Sequence, residues 1–444
     1  MHINVIGAGL AGCEAAMQIA SRKINVHLYE MKPKKRTAAH HTDMFAELVC
    51  SNSFKAMRVE SAAGLLKEEM RRLDSFLMKY ADTCKVPAGG ALAVDRDIFS
   101  LSVTQAIKSN SYIQVLNEEV SEIPEGEITI IASGPLTSDS LAESIVKRFG
   151  SSLSFFDAAA PIVTADSIDM DNAFFASRYD KGDSDDYINC PMNKEEYELF
   201  YNALISAQRA PLHDCDVSNP KVYEGCMPVE VMAQRGEGTL RFGPMKPVGL
   251  INPKTGHRPW AVLQLRKENT AGATYNLVGF QTNLKFSEQK RVFSLIPALH
   301  NAEFVRYGVM HRNTFLNSPQ ILNSDFSVRD NKNLFFAGQI TGVEGYMESA
   351  ASGIIAAINA CRLAMDKPSV TLPNDTMIGA LSWYISNPGV DKFQPMGANF
   401  GILPELENRP RDKRERGMAY SSRALESLDR FICENVAGGL VCEL

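Results

Sequence analysis

The first thirty residues alternate apolar and polar positions in a way that predicts a series of short elements. Residues 3–6 form an apolar run of strand character, and a glycine-rich turn follows directly. Residues 11–21 carry helix-forming residues with apolar positions at helical spacing, and residues 25–30 alternate like a second strand. This order of strand, turn, helix and strand predicts a Rossmann-like α/β unit at the start of the chain.

Later stretches repeat this pattern around a region of different character. The spacing predicts one amphipathic helix over residues 60–80 and a buried strand over 127–134. Residues 331–362 again have the pattern of strand, glycine turn and helix. Between about residues 155 and 300, by contrast, a helical stretch stands beside loops dense in proline and glycine, notably at 241–260. We therefore expect a mixed α+β domain inserted between two parts of one Rossmann-like domain.

The first glycine turn matches the pattern G-x-G-x-x-G with Gly7, Gly9 and Gly12. In this pattern the glycines allow a tight turn, a close approach of backbone to a pyrophosphate, and close packing of the helix on the strand. The pyrophosphate lies at a helix N-terminus, and Glu30 is placed to accept hydrogen bonds from a ribose diol. The sequence therefore predicts dinucleotide binding.

A second glycine group favours FAD as the dinucleotide. Gly338, Gln339, Gly342 and Gly345 lie between a predicted strand and a helix of small residues. This arrangement suits a second helix N-terminus that closes over a flavin, although an ordinary strand-to-helix connection is the alternative. We expect an FAD-binding domain with its first part at 1–155, an inserted domain for the substrate or RNA at 156–300, and its second part at 301–444 with a C-terminal helical segment.

Composition narrows the class of protein. The 444 residues are 45% hydrophobic and 22% charged, which is typical of a globular protein and excludes a largely disordered chain. We expect a cytoplasmic protein, because no apolar stretch would span a membrane and no secretory signal is visible. We also expect a monomer or weak oligomer. The nine cysteines are scattered without a C-x-x-C pair, so neither a disulfide framework nor a metal site is predicted.

The chain contains several long and irregular strings of residues. They are HHTDMFAELVCSNS (40–53), LLKEEMRRLDS (65–75), VPAGGALAVDR (86–96), YEGCMPVEVMAQRG (223–236), LRFGPMKPVGL (240–250), GFQTNLKFSEQKRVFSLIP (279–297), EFVRYGVMHRNTFLNSP (303–319) and FFAGQITGVEGYMESAASG (335–353). Together with the opening of the chain, these strings resemble the TrmFO family of folate- and FAD-dependent uracil-5 methyltransferases of RNA. The resemblance extends from residue 1 to at least residue 360, and strings of this length and irregularity are typical of common descent.

The resemblance implies a reaction and its co-substrates. A one-carbon unit from 5,10-methylenetetrahydrofolate would pass through the flavin to C5 of a uridine, usually the T-loop uridine of tRNA, with electrons from NAD(P)H. The same chemistry on a ribosomal RNA uridine and a GidA-like modification of the tRNA wobble uridine remain alternatives. No second G-x-G-x-x-G is present, so we expect NAD(P)H to bind transiently. No DNA partner is expected.

Two cysteines are candidates for the chemistry that such a reaction needs. Uracil C5 is a weak nucleophile, and a thiolate that adds at C6 makes C5 able to attack an electrophilic carbon. Cys226 lies between Gly225 and Pro228, two residues typical of turns, and Cys50 ends an apolar run; both match cysteines of the family motifs. We expect Cys226 to be the nucleophile and Cys50 its active-site partner, with the two roles open to exchange. An inert buried thiol is the alternative for each.

Other polar residues are candidates for contacts with the folate, the flavin or the target base. His40 and His41 lie in a polar loop where an imidazole could move the C5 proton or contact folate, although a loop hydrogen bond would explain them equally well. Glu344, Tyr346 and Glu348 could line the flavin and pterin, and a solvated helix start is the alternative.

Two basic clusters could contact RNA in a chain whose net charge is −6. They are residues 32–36 and 409–416, and Lys285, Lys290, Arg291 and Arg306 could extend such a surface. A solvated face is the alternative for each cluster. Two further hypotheses are a non-catalytic flavin-binding partner of an RNA-modifying complex and a flavin oxidoreductase that acts on small molecules.

Overall fold

The computed structural model describes residues 1–37, 39–150, 153–180, 186–211, 227–390 and 393–435. In chain order the strands are β1 His2–Ile6, β2 Asn25–Tyr29, β3 Ser53–Ala56, β4 Lys85–Val86, β5 Ala91–Val94, β6 Ile113–Leu116, β7 Thr129–Ile131, β8 Leu153–Ala158, β9 Ile162–Thr164, β10 Phe174–Phe175, β11 Tyr187–Met192, β12 Ala261–Lys267, β13 Thr274–Leu277, β14 Phe304–Arg306, β15 Met310–Phe315, β16 Ser327–Val328 and β17 Asn331–Phe336. The helices are α1 Leu10–Ser21, α2 Ala62–Arg72, α3 Phe76–Thr83, α4 Arg96–Ser109, α5 Asp139–Phe149, α6 Lys194–Ser206, α7 Val229–Ala233, α8 Thr239–Phe242, α9 Phe286–Phe293, α10 Ser318–Ile321, α11 Tyr346–Ala364, α12 Met377–Ser386 and α13 Lys413–Asn435.

The first sheet has the strand order β16-β17-β7-β1-β2-β6. Every neighbouring pair in it is parallel except β16 with β17. Its central strands β1 and β7 are almost fully buried and mainly apolar, as is usual in parallel sheets. Strands from the two ends of the chain share this sheet, which confirms the predicted discontinuous Rossmann-like fold.

The second sheet, which extends from Ile162 to Arg306, has the order β10-β11-β12-β13-β9-β14 and is antiparallel throughout. Its hydrophobic core includes Tyr197 and Phe200 of α6 and Val292 of α9. This is the inserted mixed α+β unit that the sequence predicts. Because β14 pairs with β9, the sheet continues past residue 300, where the predicted boundary lies, and the division into domains stays a prediction.

Helices α1 and α11 start at the carboxyl ends of β1 and β17, which flank β7 in the first sheet. The two helices pack so closely that a Cβ at Gly353 would lie 2.4 Å from the carbonyl oxygen of Ala11. Two helix N-termini therefore meet at one edge of a parallel sheet, which is the edge where ligands bind in folds of this class.

The single helix predicted over residues 60–80 is wrong: α2 and α3 are separate helices. Asp74 between them adopts φ +58°, and the Ser75 side chain caps α3 by accepting from the N–H of Met78. The buried carboxylate of Glu14 on α1 accepts from the N–H groups of Phe76 and Leu77 at 2.9 Å each. The break exists because a carboxylate distant in sequence satisfies the free N–H groups of the new helix.

In the described ranges no helix is both long and apolar enough to cross a membrane. Over the same ranges no group of three or more His, Cys, Asp and Glu side chains is arranged to hold a metal ion.

Candidate functional site

A cleft with an empty volume of about 1000 Å³ lies at the edge where α1 and α11 begin. The glycine turn, Glu30, His40, Gln339 and Tyr346 all line it. Predicted cofactor-binding residues from both ends of the chain thus meet at one cavity, whereas Gly12, Gly342, Gly345 and Glu348 are not among the described residues that line it.

The glycine turn has the geometry that a pyrophosphate site requires. Gly7 has φ +100°, and a Cβ at Gly12 would lie 1.8 Å from the carbonyl oxygen of Gly7, so both positions exclude a side chain. At Gly9, which is the N-cap of α1, a Cβ would meet no atom of the described chain within 4 Å. Gly9 therefore faces open space in front of the N-terminus of α1, where free N–H groups favour an anion.

Glu30 is buried at the end of β2 and organises the turn. Its carboxylate accepts from the N–H groups of Ala8 at 2.9 Å and Lys32 at 3.0 Å. A carboxylate has about four acceptor sites, so two hydrogen bonds leave capacity for a ribose hydroxyl. Glu30 lines the cleft, and its contact with a ribose stays a prediction.

The late glycine group makes a second tight turn beside the first. Gly338, Gly342 and Gly345 have φ of +84°, +85° and +123°, values that favour glycine. Gln339 lines the cleft, and its side-chain amide donates to the carboxylate of Glu344 at 2.6 Å. Because Glu344 is buried and fixed in place, its hydrogen bond orients the side chain of Gln339.

Tyr346 joins the cleft to Cys50. Its hydroxyl oxygen accepts from the N–H groups of Cys50 at 2.8 Å and Ser51 at 3.2 Å. The Cys50 thiol donates to the carbonyl oxygen of Ala158 at 3.6 Å. Burial raises the pKa of Tyr346, and the negative charge of a Cys50 thiolate would raise it further, so the phenol stays protonated. Cys50 is half-buried, and its contact with Tyr346 places it next to the cleft; its part in the chemistry stays a prediction.

Three arginines from different elements donate hydrogen bonds to residues 48–52, which we call the Cys50 segment. Arg96 of α4 donates to the carbonyl oxygen of Leu48 at 2.7 Å, and Arg306 of β14 donates to that of Val49. Arg266 of β12 donates to Ser51 Oγ and Asn52 Oδ1, each at 3.0 Å. Arg96 belongs to the part of the molecule built around the first sheet, which we call the first unit. Arg266 and Arg306 belong to the part built around the second sheet, the second unit, so both units hold this segment.

These arginines make the surroundings of Cys50 electropositive. Glu268 forms an ion pair with Arg96 at 2.8 Å. Burial lowers the pKa of both Arg266 and Arg306 from the usual arginine value. Within the described chain, the Nε of Arg306 is buried without a hydrogen-bond partner. A buried donor and excess positive charge suit an anionic group of a substrate.

The two candidate histidines differ in their surroundings. His40 lines the cleft, its Nδ1 lies 2.8 Å from Thr37 Oγ1, and burial lowers its pKa. His41 is exposed, and its pKa is lowered by partial burial and then by the charge of Arg306. Both imidazoles are therefore neutral at pH 7 and able to accept a proton. His40 is the one that faces the cleft.

Two other predicted site residues have different outcomes. The carboxylate of Glu348 accepts from Lys55 Nζ at 2.8 Å and from the N–H of Ala398 at 3.0 Å, which supports the turn around Gly345. Cys226 lies outside the described residues. Its role therefore stays a prediction from the sequence.

Most of the predicted basic positions already have partners within the protein. In the cluster at 32–36, Lys35 pairs with Glu119 and Arg36 with Asp43. In the cluster at 409–416, Arg414 pairs with Glu60, and Arg416 donates to backbone carbonyls of its own segment. Lys285 donates to Gln208, Arg291 pairs with Glu288, and Arg306 belongs to the Cys50 segment.

The sequence predictions missed Arg96 and Arg266 as site residues. Arg96 ends the family-like string at 86–96, which is a signal that could have drawn attention to it. Arg266 lies in an ordinary strand pattern, and only the pairing of β12 within the second sheet brings it to Ser51.

Comparisons with known proteins agree with this geometry. A family model described as "Glucose inhibited division protein A" matches residues 2–368. The chain is 59% identical over 432 residues to methylenetetrahydrofolate--tRNA-(uracil-5-)-methyltransferase TrmFO of Acetivibrio thermocellus, covering 97% of this chain and 98% of that protein. It is 58% identical to the protein of the same name from Lactiplantibacillus plantarum, covering 97% of each chain.

The fold has a relative among solved structures. The crystal structure of Aquifex aeolicus GidA in its form II crystal superposes with a TM-score of 0.67. That structure is 14% identical in sequence, and the match covers 96% of this chain and 73% of that one. At this level of identity the likeness shows the fold alone.

Proposed function

This chain belongs to the TrmFO family, and from that premise we propose that it methylates C5 of a uridine in tRNA with 5,10-methylenetetrahydrofolate as the one-carbon donor. The observation that carries the proposal is the position of Cys50 beside a cleft built for a dinucleotide. The relatives that share more than half of their residues with this chain carry the name of this activity. We further propose the T-loop uridine as the target.

We propose FAD as the resident cofactor, and the residues of the cleft fit it. The open space at Gly9 and the N-terminus of α1 would hold the pyrophosphate, and Glu30 the ribose. Gly338 and Gln339 would approach the flavin from the other side. When bound, FAD supplies one-carbon transfer and reduction, and we propose NAD(P)H as the electron source.

The protein's own residues would supply the nucleophile and move the proton. We propose that the thiolate of Cys226 adds to C6 of the uracil, which makes C5 able to attack the one-carbon unit. Loss of the C5 proton then requires a base, and neutral His40, which lines the cleft, is our candidate. Loss of this proton expels the Cys226 thiolate from C6 and leaves an exocyclic methylene, which a hydride converts into the methyl group. Cys50 is the proposed partner thiol, held by Tyr346 and the surrounding arginines. The two cysteines could exchange these roles.

The test is methyl transfer to a tRNA transcript that lacks 5-methyluridine. The purified protein is incubated with FAD, NADPH and methylenetetrahydrofolate labelled in its one-carbon unit. We expect label in 5-methyluridine at the T-loop and, for the Cys226→Ala variant, loss of nearly all of it. No folate-derived label in tRNA would contradict the proposal.

The same preparation separates the alternatives. Label that appears in a ribosomal RNA transcript and not in tRNA would change the substrate and keep the chemistry. A Cys226→Ala variant that supports full methylation in cells lacking the native protein would favour a non-catalytic flavin-binding role. A protein whose spectrum shows no flavin after incubation with FAD would remove the basis of the proposed chemistry.

A further inference from the structure

One segment of the second unit, residues 235–260, has a charge opposite to that of the whole chain; it contains α8 and the loops that follow it. Five lysines and arginines and one acid, Glu237, lie in it, although the net charge of the protein is −6. The cations are Arg235, Arg241, Lys246, Lys254 and Arg258. We call this region the 235–260 surface. A local concentration of positive charge of this kind is the electrostatic pattern of a phosphate-binding surface.

Cations and apolar side chains on this surface are exposed together. Phe242 is 88% exposed and Ile251 is 66% exposed. Lys246 and Arg258 are exposed too, and neither forms an ion pair with a described carboxylate. An almost fully exposed phenylalanine in a segment that also carries exposed cations is typical of surfaces on which single-stranded bases stack.

An aromatic side chain fixes one of the cations in place. The Arg241 guanidinium lies 3.6 Å from the centre of the Trp260 ring, and its Nε donates to the carbonyl oxygen of Trp260 at 2.9 Å. Held in this way, the planar guanidinium keeps its remaining N–H groups available at a defined position. Such a group is well suited to a phosphate or to the face of a base.

The 235–260 surface is held in shape by the second unit. Met245 and Leu250 are buried beneath it, and the N–H of Val262 donates to the carbonyl oxygen of Met245 at 3.0 Å. Arg178 donates to the carbonyl oxygen of Val248 at 2.9 Å. A preformed surface binds a partner without the cost of ordering a loop.

Strand β12 connects this surface to the candidate active site. Trp260 precedes the first residue of the strand, and Arg266 near its end donates to Ser51 beside Cys50. The six residue steps from Trp260 to Arg266 span roughly 20 Å along the strand.

We propose that the 235–260 surface binds the RNA nucleotides that flank the target uridine, with Lys246 and Arg258 on phosphates and Phe242 stacked on a base. The inference rests on the proposed function for the identity of the partner. The excess of cations and the exposed ring favour RNA over a protein partner. It assigns the inserted unit the task of placing the RNA, while the first unit holds the proposed cofactor.

The test measures binding of a fluorescently labelled tRNA transcript at several salt concentrations. For the double variant Lys246→Gln, Arg258→Gln we expect weaker binding and a slope of log affinity against log salt that is shallower by about 1.5, since two phosphate contacts are lost. For Phe242→Ala we expect about tenfold weaker binding with an unchanged slope, because stacking involves no counterions. The matched control is Arg409→Gln, Arg411→Gln, which makes the same change of charge at exposed positions of the 409–416 cluster.

The outcomes separate this inference from the proposed function. If the wild type methylates tRNA and the Lys246→Gln, Arg258→Gln variant binds it with the wild-type slope, the surface is wrong and the function stands. If the control variant shows the shallower slope of log affinity against log salt instead, the RNA-binding face lies at 409–416. If the wild type binds the transcript through the 235–260 surface without methylating it, the surface stands and the function fails. A wild type with no affinity for tRNA would overturn the surface.

Discussion

The two units of the molecule differ in which atoms form their proposed binding sites: backbone atoms in the first and exposed side chains in the second. In the first, the backbone makes the cleft: Gly7 and Gly12 leave no room for a side chain, and two helix N-termini face the ligand. In the second, the sheet supports a surface made of exposed side chains such as Phe242 and Lys246. A site made by backbone requires glycine at fixed spacing and is visible in sequence. A surface made of side chains can be spread over a loop with no fixed spacing.

The comparison predicts, first, that the cleft loses flavin binding most completely when a new side chain collides with the backbone of its glycine turn. In Gly12→Ala the new Cβ would lie 1.8 Å from a carbonyl oxygen, so we expect a loss of at least about 3 kcal/mol of stability and no retained flavin. Gly9→Ala is the matched variant, because its Cβ meets open space. It should keep the wild-type melting temperature and bind FAD more weakly. Equal melting temperatures for the two variants would contradict the backbone account.

A second prediction concerns Cys50, where the two units meet. Cys50→Ala should lower tRNA methylation at least about a hundredfold and leave bound flavin unchanged, since the thiol lies beside the cleft and does not line its glycine turns. Cys190→Ala is the control: this thiol is fully buried in the core of the second unit. It should cost about 1 kcal/mol in stability and leave the activity of the folded protein intact. Comparable activity losses would mean that Cys50 is structural.

A third, smaller effect is expected from the contact that joins the units. Arg266→Met removes the donors to Ser51 and Asn52, so we expect about 1–3 kcal/mol of destabilisation and a lower kcat with little change in flavin content. Arg329→Met makes the same change within the first unit, where Arg329 donates to the carbonyl oxygen of Ser386 at 2.6 Å. That control should lose stability without a loss of kcat. A kcat that is normal in both would show that Arg266 does not position Cys50.

The smallest predicted effect is a pH dependence within the first unit. Glu69 accepts from the N–H groups of Met377 and Ile378, and burial raises its pKa to about 8. The folded protein keeps a proton that the unfolded chain releases, so this contribution to stability is lost as pH rises from about 5 to 8. The melting temperature should fall over that range, and in Glu69→Gln it should fall by about 2–4 °C less.

Two companion variants complete this measurement. Glu230 is the corresponding buried carboxylate of the second unit: it accepts from Thr282 Oγ1 and from the N–H of Asn283, and burial raises its pKa. Glu230→Gln should therefore flatten the profile in the same direction. Glu405→Gln at an exposed position should leave the profile unchanged. A profile for Glu69→Gln that matches the wild type would remove Glu69 as a cause.

Much of the first unit could be predicted from sequence because its signals are local. The turn at Gly7, the helix after it and the strand ending near Glu30 follow one another within thirty residues. The late turn at Gly345 is also local. The pattern of residues 60–80 misled because the break at Asp74 depends on Glu14, a residue far away in sequence.

The rest of the candidate site depends on contacts between distant residues. Arg96, Arg266 and Arg306 come to the Cys50 segment from different helices and strands, and no spacing in the sequence links them. The basic clusters at 32–36 and 409–416 are visible in the sequence because their charges lie close together. The five cations of the 235–260 surface are separated by proline, glycine and apolar residues, so they form no charge run in the sequence.

The packing of α11 on α1 has a consequence for how the protein is made. Strand β7 ends at Ile131, and its partner β17 begins at Asn331, about 200 residues later. At ~5–20 residues per second a ribosome needs roughly 10–40 s to deliver that partner. During this interval the apolar face of α1 has no α11 to cover it, whereas the second sheet, which ends at Arg306, is synthesised in full before β17 begins. We therefore expect the nascent first unit to depend on chaperones for longer than the insert that interrupts it.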